Sequence, residues 1–263
     1  MSIYDSSLIL AYCIVVAFVF GACMGSFLNC TAIRLGNGES FVKGRSHCMS
    51  CGHELGWMDL IPIVSWVMLG GKCRYCHEKI SARYPLVELI FAVISVACIL
   101  RFDLTVLCLR NYVFLAVLYL LTLTDLDTMT IPDSCHVIAI GAWAVTAPVL
   151  YSGHEIMMHV AAAFTFGAAI LGLSLLMDHI LKKDSLGGGD IKLLFVAGLY
   201  FGFVGTLFVL ILSCITGLVF NIGLISQLDN KKEFPFGPWI AAASVVVLFA
   251  GDPLINWYLG LIG

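Results

Sequence analysis

The sequence predicts an all-α polytopic membrane protein of about eight transmembrane helices, with one small polar insert between the first two. Three observations carry that reading. Of 263 residues, 60% are apolar and 12% charged, and the mean hydropathy is +1.00; a soluble domain of this length needs far more polar surface, because half-buried helices and strands alternate apolar with polar positions. Apolar runs recur that approach or exceed the roughly 20 residues needed to cross a hydrocarbon core. Between the first two of them lies one long polar stretch that holds seven of the 14 Lys and Arg residues.

Eight spans are predicted, over 8–33, 85–100, 104–124, 131–150, 156–181, 191–201, 204–228 and 237–259. The second and sixth are short, so they are expected to begin outside the hydrocarbon or to pack within protein. The first reads as a permanent helix: Asp5 stands where a signal peptide has basic residues, and no small-residue cleavage site follows. The chain then divides into residues 1–33 as the first transmembrane helix, 34–84 as the polar insert and 85–263 as a helical membrane core. No internal repeat and no low-complexity segment is evident.

Orientation follows from the basic residues. Arg34, Lys43, Arg45, Lys72, Arg74, Lys79 and Arg83 crowd the insert, Lys182, Lys183 and Lys192 flank the loop between spans five and six, and Lys231 and Lys232 lie between seven and eight. Alternating spans put all of these on one side and leave only Arg101 and Arg110 toward the other, so the basic loops are expected in the cytoplasm and both termini outside. The net charge of -3 and the lack of a basic stripe with interleaved aromatics exclude nucleic acid as a partner.

Seven of the eleven cysteines, Cys13, Cys23, Cys30, Cys98, Cys108, Cys135 and Cys214, sit singly in apolar runs, where a thiol behaves as a small hydrophobe. The other four form two C-x2-C knuckles in the insert, Cys48 with Cys51 and Cys73 with Cys76, separated by a 21-residue spacer. Each knuckle can present two thiolates to one metal, and four give the closed tetrahedral shell of structural zinc. Cytoplasmic placement argues against disulfides. His47, His53 and His77 lie beside the knuckles and read as solvent-facing neighbours. A full cysteine shell leaves no open position, so this zinc is expected to hold the insert together without performing chemistry.

Carboxylates at membrane depth are costly and mark candidate functional sites. Asp125 closes the third span and Asp190 opens the sixth in Gly187-Gly188-Gly189-Asp190. Two facing carboxylates can share a proton, because like charges a few ångström apart resist joint ionisation. The ionised partner then takes a proton from water while the protonated one polarises a peptide carbonyl. The glycines before Asp190 would let a substrate strand approach the backbone. An Asp after a glycine turn is equally a good helix N-cap, and one at a helix end is often just solvated, so chemistry leaves both readings open at this pair. Asp133 reads as a first-turn carboxylate favoured by the helix dipole. Asp127 falls on a different helix face from Asp125. Asp184 reads as solvated, and Asp178 with His179 as interfacial. Glu88, inside the second span, needs a partner such as Arg83 or a polar pocket. Asn29, after Gly25 and Ser26, reads as polar glue between closely packed helices.

At these residues the chain resembles the bacterial type IV prepilin peptidases, also called leader peptidase/N-methyltransferases. The matching segments are Gly25-Ser26-Phe27-Leu28-Asn29, the two knuckles, Trp57-Met58-Asp59-Leu60-Ile61-Pro62 and Gly71-Lys72-Cys73-Arg74-Tyr75-Cys76. They continue through Ile80 to Glu88, Asp125 to Asp133, Gly187 to Lys192, and Pro235-Phe236-Gly237-Pro238, in the family order. A lone G-x-G-D is weak; the combination is specific. The resemblance implies that Asp125 and Asp190 are catalytic, that Gly187, Gly189 and Lys192 form the active-site loop, and that Cys48, Cys51, Cys73 and Cys76 bind zinc. It implies cleavage of a short basic leader after Gly from type IV prepilins or type II secretion pseudopilins, at the cytoplasmic face of the bacterial inner membrane. It also implies N-methylation of the new amino group from S-adenosylmethionine, with the insert as the region associated with that activity. Met49 and Gly36 stand where the family commonly has proline, and neither departure removes a ligand or a catalytic group.

The chain has no G-x-G-x-x-G loop in a βαβ context, so methyl transfer rests on the resemblance alone and a peptidase without it is the nearest alternative. A zinc-bearing membrane scaffold would leave both aspartates unused. A transporter would place its carboxylates near the bilayer midplane, whereas these lie at its edge.

Overall fold

The structure is a computed structural model and describes residues 7–40, 44–182, 186–225 and 235–262. Asp5, Lys43, Lys183, Asp184, Lys231 and Lys232 lie outside the described residues. The elements are α1 (Ser7–Gly36), a 3₁₀ turn (Trp57–Leu60), α2 (Val64–Met68), α3 (Arg83–Phe102), α4 (Val106–Thr128), α5 (Asp133–Leu150), α6 (Gly153–Leu181), α7 (Gly188–Ile225) and α8 (Gly237–Ile262). Among the described residues no strand forms, only two isolated bridges in the insert. Leu8, Val15, Val19, Val145 and Leu218 are each more than half exposed, so the outward faces carry apolar side chains, as a hydrocarbon solvent requires.

Six helices are long and apolar enough to cross a membrane, and the apolar stretch Gly237–Gly251 opens α8. The last of the six, α7, is two spans rather than one. Gly202 breaks it with φ 64° and ψ -164°. A Cβ on Gly189 would lie 2.9 Å from Ile131 and one on Gly237 3.0 Å from the same side chain, while Gly217 stands 3.5 Å from Trp239. Residues 189 and 217 therefore return to the end where α8 begins, although a straight helix would separate them by roughly 40 Å. The chain reverses at Gly202, as the separate spans 191–201 and 204–228 anticipate, and with the two arms of α7 counted separately the described residues hold eight apolar helical segments. The break deprives the Leu199 carbonyl of its helical donor, and His159 Nδ1 supplies one at 2.8 Å.

The chain forms two compact units, residues 1–123 and 124–263. In the first, α1 and α3 pack closely because α1 offers small residues. A Cβ on Gly25 would lie 3.0 Å from Glu88 Cα, and one on Gly21 2.8 Å from Ala92 Cα, the small-xxx-small spacing that lets membrane helices touch. Tyr119 of α4 donates to the Val87 carbonyl at 2.9 Å and packs on Phe91 at 5.1 Å between ring centroids. Cys98 and Cys108 are buried with their sulfurs 3.8 Å apart.

In the second unit, a Cβ on Gly198 would lie 2.6 Å from the Ala163 nitrogen, so α6 and the first arm of α7 touch backbone to backbone. Phe164 and Phe195 meet edge to face at 5.2 Å, and Tyr200 ties α7 to the Ala139 carbonyl of α5 at 2.9 Å. Helix ends differ from the predicted spans where capping decides. Ser152 and Glu155 form a capping box that starts α6 at Gly153, not 156. Helix α4 runs past 124 to Thr128, with Met129 at φ 53° ending it.

Candidate active site and metal centre

In the insert, the two knuckles are built as copies. The Cys48 N–H donates to the His53 carbonyl at 2.9 Å and the Gly52 N–H to the Cys48 carbonyl at 2.9 Å; the Cys73 N–H donates to the Glu78 carbonyl at 2.9 Å and the His77 N–H to the Cys73 carbonyl at 3.0 Å. The fourth residue after each leading cysteine turns left-handed, Gly52 at φ 71° and His77 at φ 59°. Glycine takes that conformation without cost and histidine does not. The sulfurs of Cys48, Cys51, Cys73 and Cys76 all lie within 4.8 Å of one another, with Cys48 and Cys76 at 3.9 Å. A tetrahedral ion with bonds of about 2.3 Å to sulfur needs edges of roughly 3.8 Å, so the four thiols could hold one metal ion.

Their electrostatics suit a cation. The N–H groups of Cys51 and Ser50 pull the Cys48 thiol down to about 6. The Glu78 N–H lowers Cys76, but burial and the thiols of Cys73, Cys51 and Cys48 outweigh it and push Cys76 up to about 12. Four crowded thiols cannot all ionise unless a positive ion stands among them. His53 packs against Tyr75 with tilted rings 3.6 Å apart between centroids, and the metal-binding group comprises only the four cysteines among the described residues.

Asp59 joins the second knuckle to the 3₁₀ turn, a role that the sequence did not reveal. Burial alone would raise its carboxyl; Arg74 Nε at 2.6 Å, the Gly56 N–H at 3.1 Å and the Tyr75 hydroxyl at 3.2 Å outweigh that and hold it below the usual carboxylate range. Glu88, whose partner was open, accepts the Ile63 N–H at 2.7 Å.

The second unit assembles the carboxylates. Asp125 sits in the last turn of α4 and Asp190 in the first turn of α7, 5% and 8% exposed. Burial argues against the solvated reading, and Asp190 stands at the third helical position instead of capping the helix. Their charges interact. The Gly237 N–H donates to Asp125, and a Cβ on Gly237 would lie 2.6 Å from Asp125 Oδ2. Asp190 Oδ1 is buried with no hydrogen-bond partner among the described residues. An acceptor buried without a partner is costly, and it is a position from which a reacting water or carbonyl can be met.

Three groups around the pair were not singled out in the sequence. Gly237 shapes the space beside Asp125, and its signal was the Pro235-Phe236-Gly237-Pro238 segment. Ile131 fills the gap between Gly189 and Gly237. His136 Nε2 lies 3.1 Å from the Gly189 carbonyl; since a carbonyl only accepts, Nε2 carries the proton and fastens the glycine turn to α5. Gly187 lies against Asp190, 3.2 Å from a Cβ position to Oδ2. Lys192, expected in the loop, lies instead in the second turn of α7 and donates to Asp133 at 2.6 Å, both more than half exposed, which ties it to the first turn of α5.

Residues 19–102 match the Bacterial Peptidase A24 N-terminal domain, and residues 112–222 match the Type IV leader peptidase family. The prepilin leader peptidase/N-methyltransferase of Aeromonas salmonicida is 34% identical over 231 residues, covering 83% of this chain and 75% of the relative. The protein of that name from Aeromonas hydrophila is 32% identical over 92% of each chain. The one from Bacillus subtilis is 30% identical over 93% of this chain and 97% of its own. No solved structure gives a significant match. Similarity that runs nearly end to end, with both matches in order on a multi-pass helical chain, makes this protein a member of the type IV leader peptidase family of membrane aspartic peptidases.

Proposed function

We propose that this chain removes the basic leader from type IV prepilins or type II secretion pseudopilins at the cytoplasmic face of the bacterial inner membrane, and then N-methylates the new first residue. The observation that carries the cleavage reading is the pair of buried, interacting carboxylates Asp125 and Asp190 beside a glycine turn. With one proton between them, the ionised partner takes a proton from water, whose oxygen attacks the scissile carbonyl. The protonated partner donates to the carbonyl oxygen, and the dyad returns a proton to the leaving amine. Gly187 lets the chain pass close to Asp190, Gly189 makes room for Ile131, and His136 keeps their turn in place.

The positive-inside distribution supports a cytoplasmic site: a basic leader is held in the cytoplasm by the rule that orients the enzyme, so its cleavage point lies at that membrane boundary. Site-directed labelling is expected to find Lys182 inside and Tyr151 outside; a cytoplasmic Tyr151 would overturn the orientation. The four cysteines would hold a structural zinc. For the methyl step, S-adenosylmethionine would supply an electrophilic methyl to the freed amine, which would release one proton to solvent.

The deciding experiment incubates the purified full chain with one precursor, with and without S-adenosylmethionine, and reads intact mass. Loss of the leader in both samples, and one further methyl group only with the donor, is expected. Cleavage without methyl gain would reduce the function to a peptidase, and no cleavage of either precursor class would sink the reading.

A further inference from the structure

The insert carries an apolar surface that neither the metal centre nor the carboxylates use. Between its two knuckles, residues 57–68 hold a single charged side chain, Asp59, and Arg74 covers that one at 2.6 Å. The rest of the segment is inside out. In water an amphipathic helix turns its apolar side chains toward the protein and its polar ones outward. In α2, Val67 and Met68 are 64% and 81% exposed, and Val64 shares their face one turn away. Ser65 and Trp66 are the half-buried residues of α2, and they line a cavity together with Asn29 and Glu88. Trp57, 73% exposed, and Met58 add apolar surface from the 3₁₀ turn, and none of these five outward residues lines that cavity. An exposed apolar patch of this kind marks a contact with a partner or a membrane.

The level at which the segment is held identifies what covers it. Ile63, just before α2, donates its N–H to Glu88 Oε2 at 2.7 Å and takes φ 62° to do so. A β-branched residue in the left-handed region is strained, and such strain persists only where the surroundings impose it. Glu88 lies in the second turn of α3 and packs on Gly25, well inside α1, so α2 is fastened beside two helices that are apolar enough to cross a membrane. At that level α3 exposes Leu86, Leu89 and Ile90, the apolar face that hydrocarbon covers. A protein partner would first have to clear lipid from this level. The charge agrees. Residues 34–84 carry seven basic and four acidic side chains in a chain of net charge -3. Lys72 and Lys79, both exposed, stand opposite each other across the second knuckle, soon after Met68. Tryptophan beside aliphatic side chains, with lysines at the edge, is the composition of an interfacial segment on anionic lipid. We infer that residues 57–68 are seated in the leaflet where α1 ends and α3 begins, with Trp57, Val67 and Met68 among the acyl chains and Lys72 and Lys79 on anionic headgroups. The insert is then a membrane-seated unit instead of a free loop domain, whichever reaction the carboxylates perform.

The test places the full chain in vesicles of phosphatidylcholine and phosphatidylglycerol and reads Trp57 as the difference in fluorescence between wild type and Trp57→Phe. Phosphatidylcholine brominated near the top of its acyl chains should lower that signal about twofold or more, because an interfacial face sits roughly 5–10 Å into the headgroup and acyl boundary. Acrylamide in the water should barely change it. Val67→Glu combined with Met68→Glu should exchange the two responses, with zinc content and the melting temperature in detergent confirming that the insert is folded. The wild-type signal decides the matter even if that variant loses its zinc. Vesicles of phosphatidylcholine alone should raise quenching by acrylamide about twofold, and Lys72→Gln with Lys79→Gln should abolish this dependence on headgroup charge. Equal quenching in both kinds of vesicle would overturn the role of the lysines. A Trp57 that acrylamide reaches freely and brominated lipid does not would overturn the membrane seat. If a prepilin precursor then shields it, the surface is a dock for protein and the lipid assignment is wrong.

Discussion

In the insert, four thiols come within 4.8 Å of one another on loops held by short-range hydrogen bonds. In the second unit, two carboxylates from helices far apart in sequence interact in a buried space, one oxygen without a hydrogen-bond partner among the described residues. Both regions crowd groups that repel when ionised, and they resolve the conflict differently. Soft thiolates can be held together by one cation that fills the shell, which leaves a rigid and inert centre. In the proposed mechanism the carboxylates instead share a proton, which leaves each able to give or take one. A closed shell makes structure and an incomplete one makes chemistry.

The largest effect should come from breaking the incomplete one. Asp125→Asn and Asp190→Asn should each lower leader cleavage by about 10³-fold or more, because an amide can neither take a proton from water nor share one. Each should leave zinc and membrane insertion unchanged, and the double variant should be little worse than either single one. An in vitro cleavage assay at matched expression reads this, with Asp133→Asn, whose exposed carboxylate pairs with Lys192, keeping measurable activity.

Gly237→Ala comes next. Its Cβ would stand 2.6 Å from Asp125 Oδ2, the free end of a side chain, so the carboxylate moves and the fold survives. Displacement of a reacting group by about 1 Å can cost on the order of 10²-fold in rate, read as a fall in kcat with an unchanged melting temperature. His136→Ala, which frees the Gly189 carbonyl, should cost less, about tenfold.

The insert should respond in stability instead of rate. Purified protein should hold about one zinc, and Cys48→Ser or Cys73→Ser should lower that content and open residues 44–82 to protease. Cadmium in place of zinc should still support cleavage, since no step uses the metal; loss of cleavage with an intact insert would break the comparison. The smallest effect concerns Asp59. Its folded carboxyl is held low, so its clamp on Arg74 is whole above about pH 4, the ordinary carboxylate value, and weakens only as the pH falls further. Asp59→Asn should hasten zinc loss to a chelator at pH 7 and erase that acid dependence.

The sequence by itself determined the eight apolar segments, the reversal near Gly202 and the thiol cluster. These signals are local: hydrophobic run length decides a span, a glycine between two runs permits a turn, and C-x2-C spacing brings two thiols together on one loop. It also marked Asp125 and Asp190, but left each open between catalysis and capping, because burial is not written in the residues beside an aspartate. Only the tertiary structure decided that both are buried and interact, that Gly237 and Ile131 wall the space, and that His136 fastens the glycine turn. The same holds for Glu88 and Asn29, which share a cavity only because Gly21 and Gly25 let α1 and α3 touch. Contacts between distant segments depend on how helices pack, and packing is set by the summed fit of many side chains, which no short stretch of sequence encodes.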